Sequence, residues 1–208
     1  MNPKKLVTAG LLLCFGCVMP VFAANTVSVD MDLGTAGIQS TRVVAPGDMF
    51  QIGLVLTVDA SGVSSFGISA LFNTPQLQLN GSPASAIPPL PGGLMSLSPP
   101  VENNALGQVY TFNGLTLGTG PASTSFTIGT INFMVPPKAT VLADSVPDIR
   151  LGFFNTGIDG FSDNPGNPVT PTFNDGFLTP VPEPSTWALA LAGSATMLLL
   201  VRRRRSNW

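Results

Sequence analysis

The chain has 208 residues, 44% of them hydrophobic and only 10% charged, and it contains no histidine. That composition rules out Ser-His-Asp and Cys-His nucleophiles and every His-ligated zinc site. Between Asn25 and Pro180 the only cations are Arg42, Lys138 and Arg150, against ten anions, a balance of −7 that argues against nucleic acid and anionic lipid as partners.

In chain order, residues 1–23 come first. Lys4 and Lys5 form a positive leader, Leu6–Val18 an apolar run, and Val21-Phe22-Ala23 places small residues where a signal peptidase needs them. Cleavage is expected after Ala23, with Ala24 as the alternative. Both cysteines, Cys14 and Cys17, lie in this removable segment. The exported chain therefore has no thiol chemistry and no disulfide, and must fold on its core alone. A body of about 155 residues buries roughly 68–70% of its unfolded surface, enough for one domain.

The body, expected over residues 24–165, reads as strands. Val27, Val29, Met31 and Leu33 alternate with polar positions, as do Phe50, Ile52, Leu54, Leu56 and Val58. Phe66, Ile68, Ala70 and Phe72 repeat the pattern, with Leu77 and Leu79 close behind. Tyr110 and Phe112 mark a shorter strand. Phe126 and Ile128 are followed by Ile131, Phe133 and Val135, and the change of parity across Gly129-Thr130 predicts a β-bulge. Ile149, Leu151 and Phe153 make another strand. Gly47, Gly62, Gly107, Gly114 and Gly120 fall where turns are expected. Ser82–Pro100 holds six prolines and is read as a long exposed connection. Residues 166–180, rich in Pro, Gly and Asn, are read as a linker, although Phe173 and Phe177 suit a last strand. Eight or nine short strands without helical periodicity predict an all-β fold, a single antiparallel β-sandwich.

One stretch of the body resembles a known family. Val27-Ser28-Val29, Ala45-Pro46-Gly47-Asp48-Met49-Phe50, Gly62-Val63-Ser64-Ser65-Phe66 and Leu71-Phe72-Asn73-Thr74-Pro75-Gln76-Leu77 are similar to the opening strands of a cohesin-like module. The resemblance covers residues 27–79 and implies jelly-roll topology and a role in extracellular adhesion or assembly. Asn73-Thr74-Pro75 departs from the aromatic-Asp-Pro step more usual there, and no partner-contacting residue carries over.

Catalytic and metal-binding chemistry finds little support. Glu102 is the sole Glu of the body, and its nine Asp residues fall mostly in turns, where they bond their own backbone. Asp159-Gly160-Phe161-Ser162-Asp163-Asn164 is the best cluster of oxygen ligands, but it supplies about three of the six to eight oxygens that calcium takes. A solvated turn is the simpler reading. No cofactor is expected, and Phe153, Phe154 and Phe161 read as packing aromatics rather than a sugar platform.

The last 28 residues carry the strongest signal. Pro182 and Pro184 stiffen Val181-Pro182-Glu183-Pro184-Ser185 into an extended segment. Trp187–Val201 follows as an apolar run about 22 Å long if helical, short of the ~30 Å hydrocarbon core. Arg202, Arg203, Arg204 and Arg205 then stay cytoplasmic, because each costs about 2.5–3.5 kcal/mol at a bilayer centre. Trp187 suits the opposite interface. These residues resemble a PEP-CTERM sorting signal. The resemblance implies recognition by an exosortase-type membrane transpeptidase in a Gram-negative bacterium that makes exopolysaccharide or biofilm matrix.

Residues 181–208 are thus expected to hold the chain in the inner membrane through 187–201 and then to be processed. The body, lacking catalytic side chains, is expected to act as a non-enzymatic structural or adhesive module at the cell surface or in the matrix. Two alternatives stand beside this: a carbohydrate-binding module for the cell's own exopolysaccharide, and an uncleaved single-pass anchored protein. Exopolysaccharide or another surface protein would be its partner.

Overall fold

A computed structural model describes residues 25–182, together with Ala192 and Ser194. Expectations that fall on residues 1–24 and on the remainder of 183–208, including the signal peptide and the membrane helix, lie outside the described residues. Thirteen strands follow one another: β1 (Thr26–Asp30), β2 (Thr41–Val44), β3 (Met49–Val58), β4 (Ser65–Phe72), β5 (Gln78–Leu79), β6 (Ser85–Ala86), β7 (Val101–Asn103), β8 (Gln108–Leu115), β9 (Thr124–Met134), β10 (Ile149–Gly152), β11 (Gly160–Ser162), β12 (Thr172–Asn174) and β13 (Phe177–Pro180). Within residues 25–182 the one helical element is a single 3-10 turn, Asn104–Leu106.

The strands form two main sheets. One has the order β12-β1-β3-β9-β5, with β6 also on β9; the other runs β10-β4-β8-β7, with β11 beside β10 on β4. Alternation along β1, β3 and β4 sends Val27, Val29, Ile52, Leu54, Leu56, Ile68 and Ala70 to the inside, where they meet Phe112, Ile131 and Phe133 in one core. At roughly 25 cal/mol per Å² of apolar surface removed from water, this core is the main source of stability. Phe72 meets Phe133 edge-on with centroids 5.1 Å apart, a favoured aromatic geometry.

Pairing within each sheet is mostly antiparallel, with two exceptions. β12 lies parallel to β1, and β13 lies parallel to β2 as a separate two-stranded unit. The stretch 166–180 is therefore not a free linker. Phe173 packs edge-on against Phe153 at 5.3 Å, and Leu178 is only 1% exposed, so burial draws the segment onto the body. The Pro-rich segment 82–100 is likewise only partly exposed: Ala84 and Leu94 are buried, and β6 adds to the edge of β9.

Two bulges adjust the pattern. On β9, Leu54 faces Gly129 while Val55 faces Thr127, so Ile128 is the extra residue, one position from the expected step. On β8, Ile68 faces Phe112 and Ala70 faces Val109, while Thr111 takes φ +68°. This bulge turns both Val109 and Phe112 into the core and leaves Tyr110 half-exposed on the other side. Tyr110 and Phe112 do not share a face as the sequence suggested. A positive φ at a β-branched residue is an outlier held by its surroundings; here the Thr111 hydroxyl donates to the Pro99 carbonyl at 3.0 Å. Leu33, expected in the first strand, is exposed beyond its end.

Candidate functional site

The outer face of the β10-β4-β8-β7 sheet is shaped by small side chains and two fastened loops. Ser65, Gly67 and Ser69 project from β4, and Gly152 and Gly160 from the neighbouring edge. A Cβ at Gly67 would run into the Ile158 carbonyl, so only glycine lets the 153–159 loop lie flat on the strand. That loop is clipped by Asp159, whose Oδ2 accepts from the Ser69 hydroxyl at 2.6 Å and from the Asn155 amide at 2.7 Å.

Asn113 makes the second clip, from β8. Its Oδ1 accepts from the Leu97 amide at 2.7 Å, and its Nδ2 donates to the Ser98 hydroxyl at 2.9 Å. Asn113 itself is buried, so leaving its amide without these partners would be costly. They hold residues 96–98 of the Pro-rich segment against the sheet. Between the two clips runs a groove of about 270 Å³, lined by Ser65, Gly67, Asn113, Ser162 and the walls Leu97 and Ile158. No charged side chain lines it. Leu97 is 66% exposed and Ile158 53%, with Met95 and Phe154 exposed nearby. Exposed apolar walls over a polar, hydrogen-bonded floor are a feature of protein-binding surfaces. Gln108, Tyr110, Phe154, Asn155 and Thr156 line a second notch of about 310 Å³ at the 153–159 loop.

The six-residue stretch 159–164 does not converge on one point. Asp159 turns to Ser69. Asp163 accepts from the Asn167 amide at 2.7 Å and from its side chain at 3.1 Å. Asn164 grips Gly120, accepting from its amide at 2.8 Å. The three side chains fasten three different pieces of chain. Among the described residues no group of three or more His, Cys, Asp or Glu is placed to hold a metal ion. Glu102 accepts from the Ser85 amide and hydroxyl at 2.7 and 2.6 Å, which ties β7 to β6.

Two carboxyls have displaced pKa values. Burial pushes Asp148 above its ordinary value of 3.8, aided by nearby Asp144 and opposed by the Leu178 amide and the Asn73 side chain. Asp32, in the exposed turn after β1, is held below its ordinary value by the Thr35 hydroxyl and the Gly34 amide, with Arg42 nearby.

Of the sorting-signal residues, Val181 and Pro182 are described. The Val181 amide donates to the Val44 carbonyl at 3.0 Å, directly extending β13 along β2. Glu183, Pro184, Ser185, Trp187 and Arg202, Arg203, Arg204 and Arg205 lie outside the described residues, as do Ala23 and Ala24. The groove itself was not foreseen. Its signals in the sequence are Gly67 and Gly160, glycines at strand positions, and Leu97, which stands among the prolines of 82–100.

Residues 180–205 match the PEP-CTERM protein-sorting motif. No curated protein matches the chain. Among solved structures, a chain of the type I cohesin–dockerin complex Coh-OlpA-Doc918 from Clostridium thermocellum aligns with TM-score 0.53 at 13% identity, covering 76% of this chain and all of its own. The type III cohesin module of the cell-surface anchoring scaffoldin ScaE of Ruminococcus flavefaciens aligns with TM-score 0.53 at 13% identity, covering 76% and 88%. The cohesin CaCohA2 from Clostridium acetobutylicum aligns with TM-score 0.50 at 12% identity, covering 77% and 92%. The body thus has a cohesin-like β fold, and the chain carries a sorting signal for surface proteins at its C-terminal end.

Proposed function

We propose that this is an exported, exosortase-processed surface protein whose β-sandwich is a non-catalytic docking module in the extracellular matrix. The signal peptide delivers it across the inner membrane, residues 187–201 hold it there, and the transpeptidase acts on the Val181–Ser185 region. The groove between the two clipped loops then takes a protein partner. The observation that carries this reading is that neutral, apolar-walled groove on the outer sheet face of a fold shared with cohesins, some of which were solved in complex with dockerins. A neutral lining favours a partner that buries apolar side chains there, since a few well-packed contacts dominate such interfaces.

Two measurements test it. Intact mass of the mature protein should lack residues 187–208; a mass that retains them overturns processing. In fractionated cultures the processed body should stay with cells and matrix, and a Leu97→Asp, Ile158→Asp double variant should pass into the medium. Equal retention of the variant would remove the groove from the account.

A second reading rests on the notch at Tyr110 and Phe154. Aromatic rings beside the amides of Gln108 and Asn155 suit a neutral sugar. It predicts that the body is retained on purified exopolysaccharide and that Tyr110→Ala abolishes retention.

A further inference from the structure

The matched sorting motif and the folded body overlap. The motif begins at residue 180, whereas β13 ends at Pro180 and its ladder continues to the Val181 amide. There is no spacer between them. In the parallel pair, Phe177 donates to the Ser40 carbonyl and Val181 to the Val44 carbonyl. By the alternation of a strand, Phe177, Thr179 and Val181 point their amides at β2, and residues 178 and 180 point away. The Leu178 amide is taken by the buried Asp148 carboxylate at 2.7 Å. Residue 180 is proline and has no N–H to offer. One edge of β13 is therefore taken by β2, and the other has no amide left to donate to an incoming strand.

A peptide-processing cleft takes its substrate as an extended strand through main-chain hydrogen bonds on both sides of the reacting bond. A grip of roughly six residues spans about 20 Å. Centred on Pro182–Pro184 it reaches back to Val181 and Pro180, which the body already holds against β2.

We propose that β2 and Asp148 compete with the processing enzyme for β13, so that the sorting signal is engaged only after β13 leaves β2. The inference rests on the processing reading above. Because β13 and β2 form their own two-stranded unit, β13 can leave without breaking either main sheet. What it must give up is the burial of Leu178 and its backbone bonds. The rate of tail removal is then set by how often this strand opens.

The test is a pulse-chase of the full chain in a Gram-negative host co-expressing an exosortase, read by loss of the tail. Val43 and Thr179 face each other across the pair, and neighbouring strands stand about 4.7–4.9 Å apart, within disulfide reach. A Val43→Cys, Thr179→Cys variant should lose its tail at least about tenfold more slowly when oxidised and recover the wild-type rate on reduction with dithiothreitol. About ten Gly/Ser residues inserted between Val181 and Pro182, with a mean span of roughly 17 Å, should restore processing to the oxidised variant. The same insertion should speed the unlocked chain about tenfold, equivalent to about 1.4 kcal/mol of barrier. Wild-type processing of the oxidised variant, or a continued block after the insertion, overturns the competition while leaving processing intact. Retention of the tail by the unlocked chain with the insertion overturns processing itself, and the competition with it.

Discussion

The β3–β9 ladder and the β2–β13 pair use the same backbone hydrogen bonds but are held in place by different means. β3 and β9 pair over ten registered positions, and their inward side chains Ile52, Leu54, Leu56, Ile131 and Phe133 fill the centre of the core. β2 and β13 pair over four positions, and Leu178 is the deepest side chain that β13 contributes. Ladder bonds contribute only about 0.5–1.5 kcal/mol each net of water, so buried area decides which pair stays closed. The central ladder should open only with global unfolding. The peripheral pair should open locally at lower free energy.

The largest expected effect comes from the centre. Phe112→Ala removes a fully buried ring that packs against β9 and should lower global stability by about 3–5 kcal/mol in urea denaturation. Leu178→Ala sharpens the contrast. It should cost about 2–3 kcal/mol at its site, yet its main signature should be faster hydrogen exchange at Thr179 and Val181, with β3 and β9 amides far less affected. Uniform acceleration across the sandwich would break the distinction between the two regions. Gly129→Ala sets a Cβ against the Phe112 ring and should destabilise by about 1–3 kcal/mol through overpacking; unchanged stability would mean the ring can move aside.

The smallest effect is a pH dependence at the peripheral pair. Asp148 has a native pKa raised by burial. The native state therefore binds its proton more tightly than the unfolded state, and stability falls as pH rises from 3.8 through the raised native value. Asp148→Asn keeps an oxygen for the Leu178 amide and removes the titration. Thermal unfolding of the two proteins should show wild type losing ground to the variant across that window. Curves that stay parallel would indicate that the carboxyl is not desolvated.

Much of the fold was legible because one buried face imposes a two-residue period, which β1, β3 and β4 display plainly. Strands of two or three residues, such as β5, β6 and β7, are too short to show any period. The inward and outward sides of β8 were misread because Thr111 takes a backbone conformation that its β-branched side chain disfavours, and nothing in the residue type announces it. The stretch 166–180 looked like a linker from its Pro, Gly and Asn content. Phe173 and Leu178, each paired with a distant partner, outweigh that composition. For the candidate site the sequence offered only glycines and a leucine, because a groove is made by which loops are fastened where. Asn113 and Asp159 do that fastening through bonds to residues 15 to 90 positions away.

The parallel course of β13 along β2 also orients the molecule. The chain leaves beside Val44, next to the start of β3 at Met49, whereas the groove opens near Ser65, just past the end of β3 at Val58. Ten residues of strand make β3 itself about 33 Å long. A grip on Pro182 would therefore hold the sandwich beside Val44 and the start of β3, leaving the groove proposed for docking toward the other end.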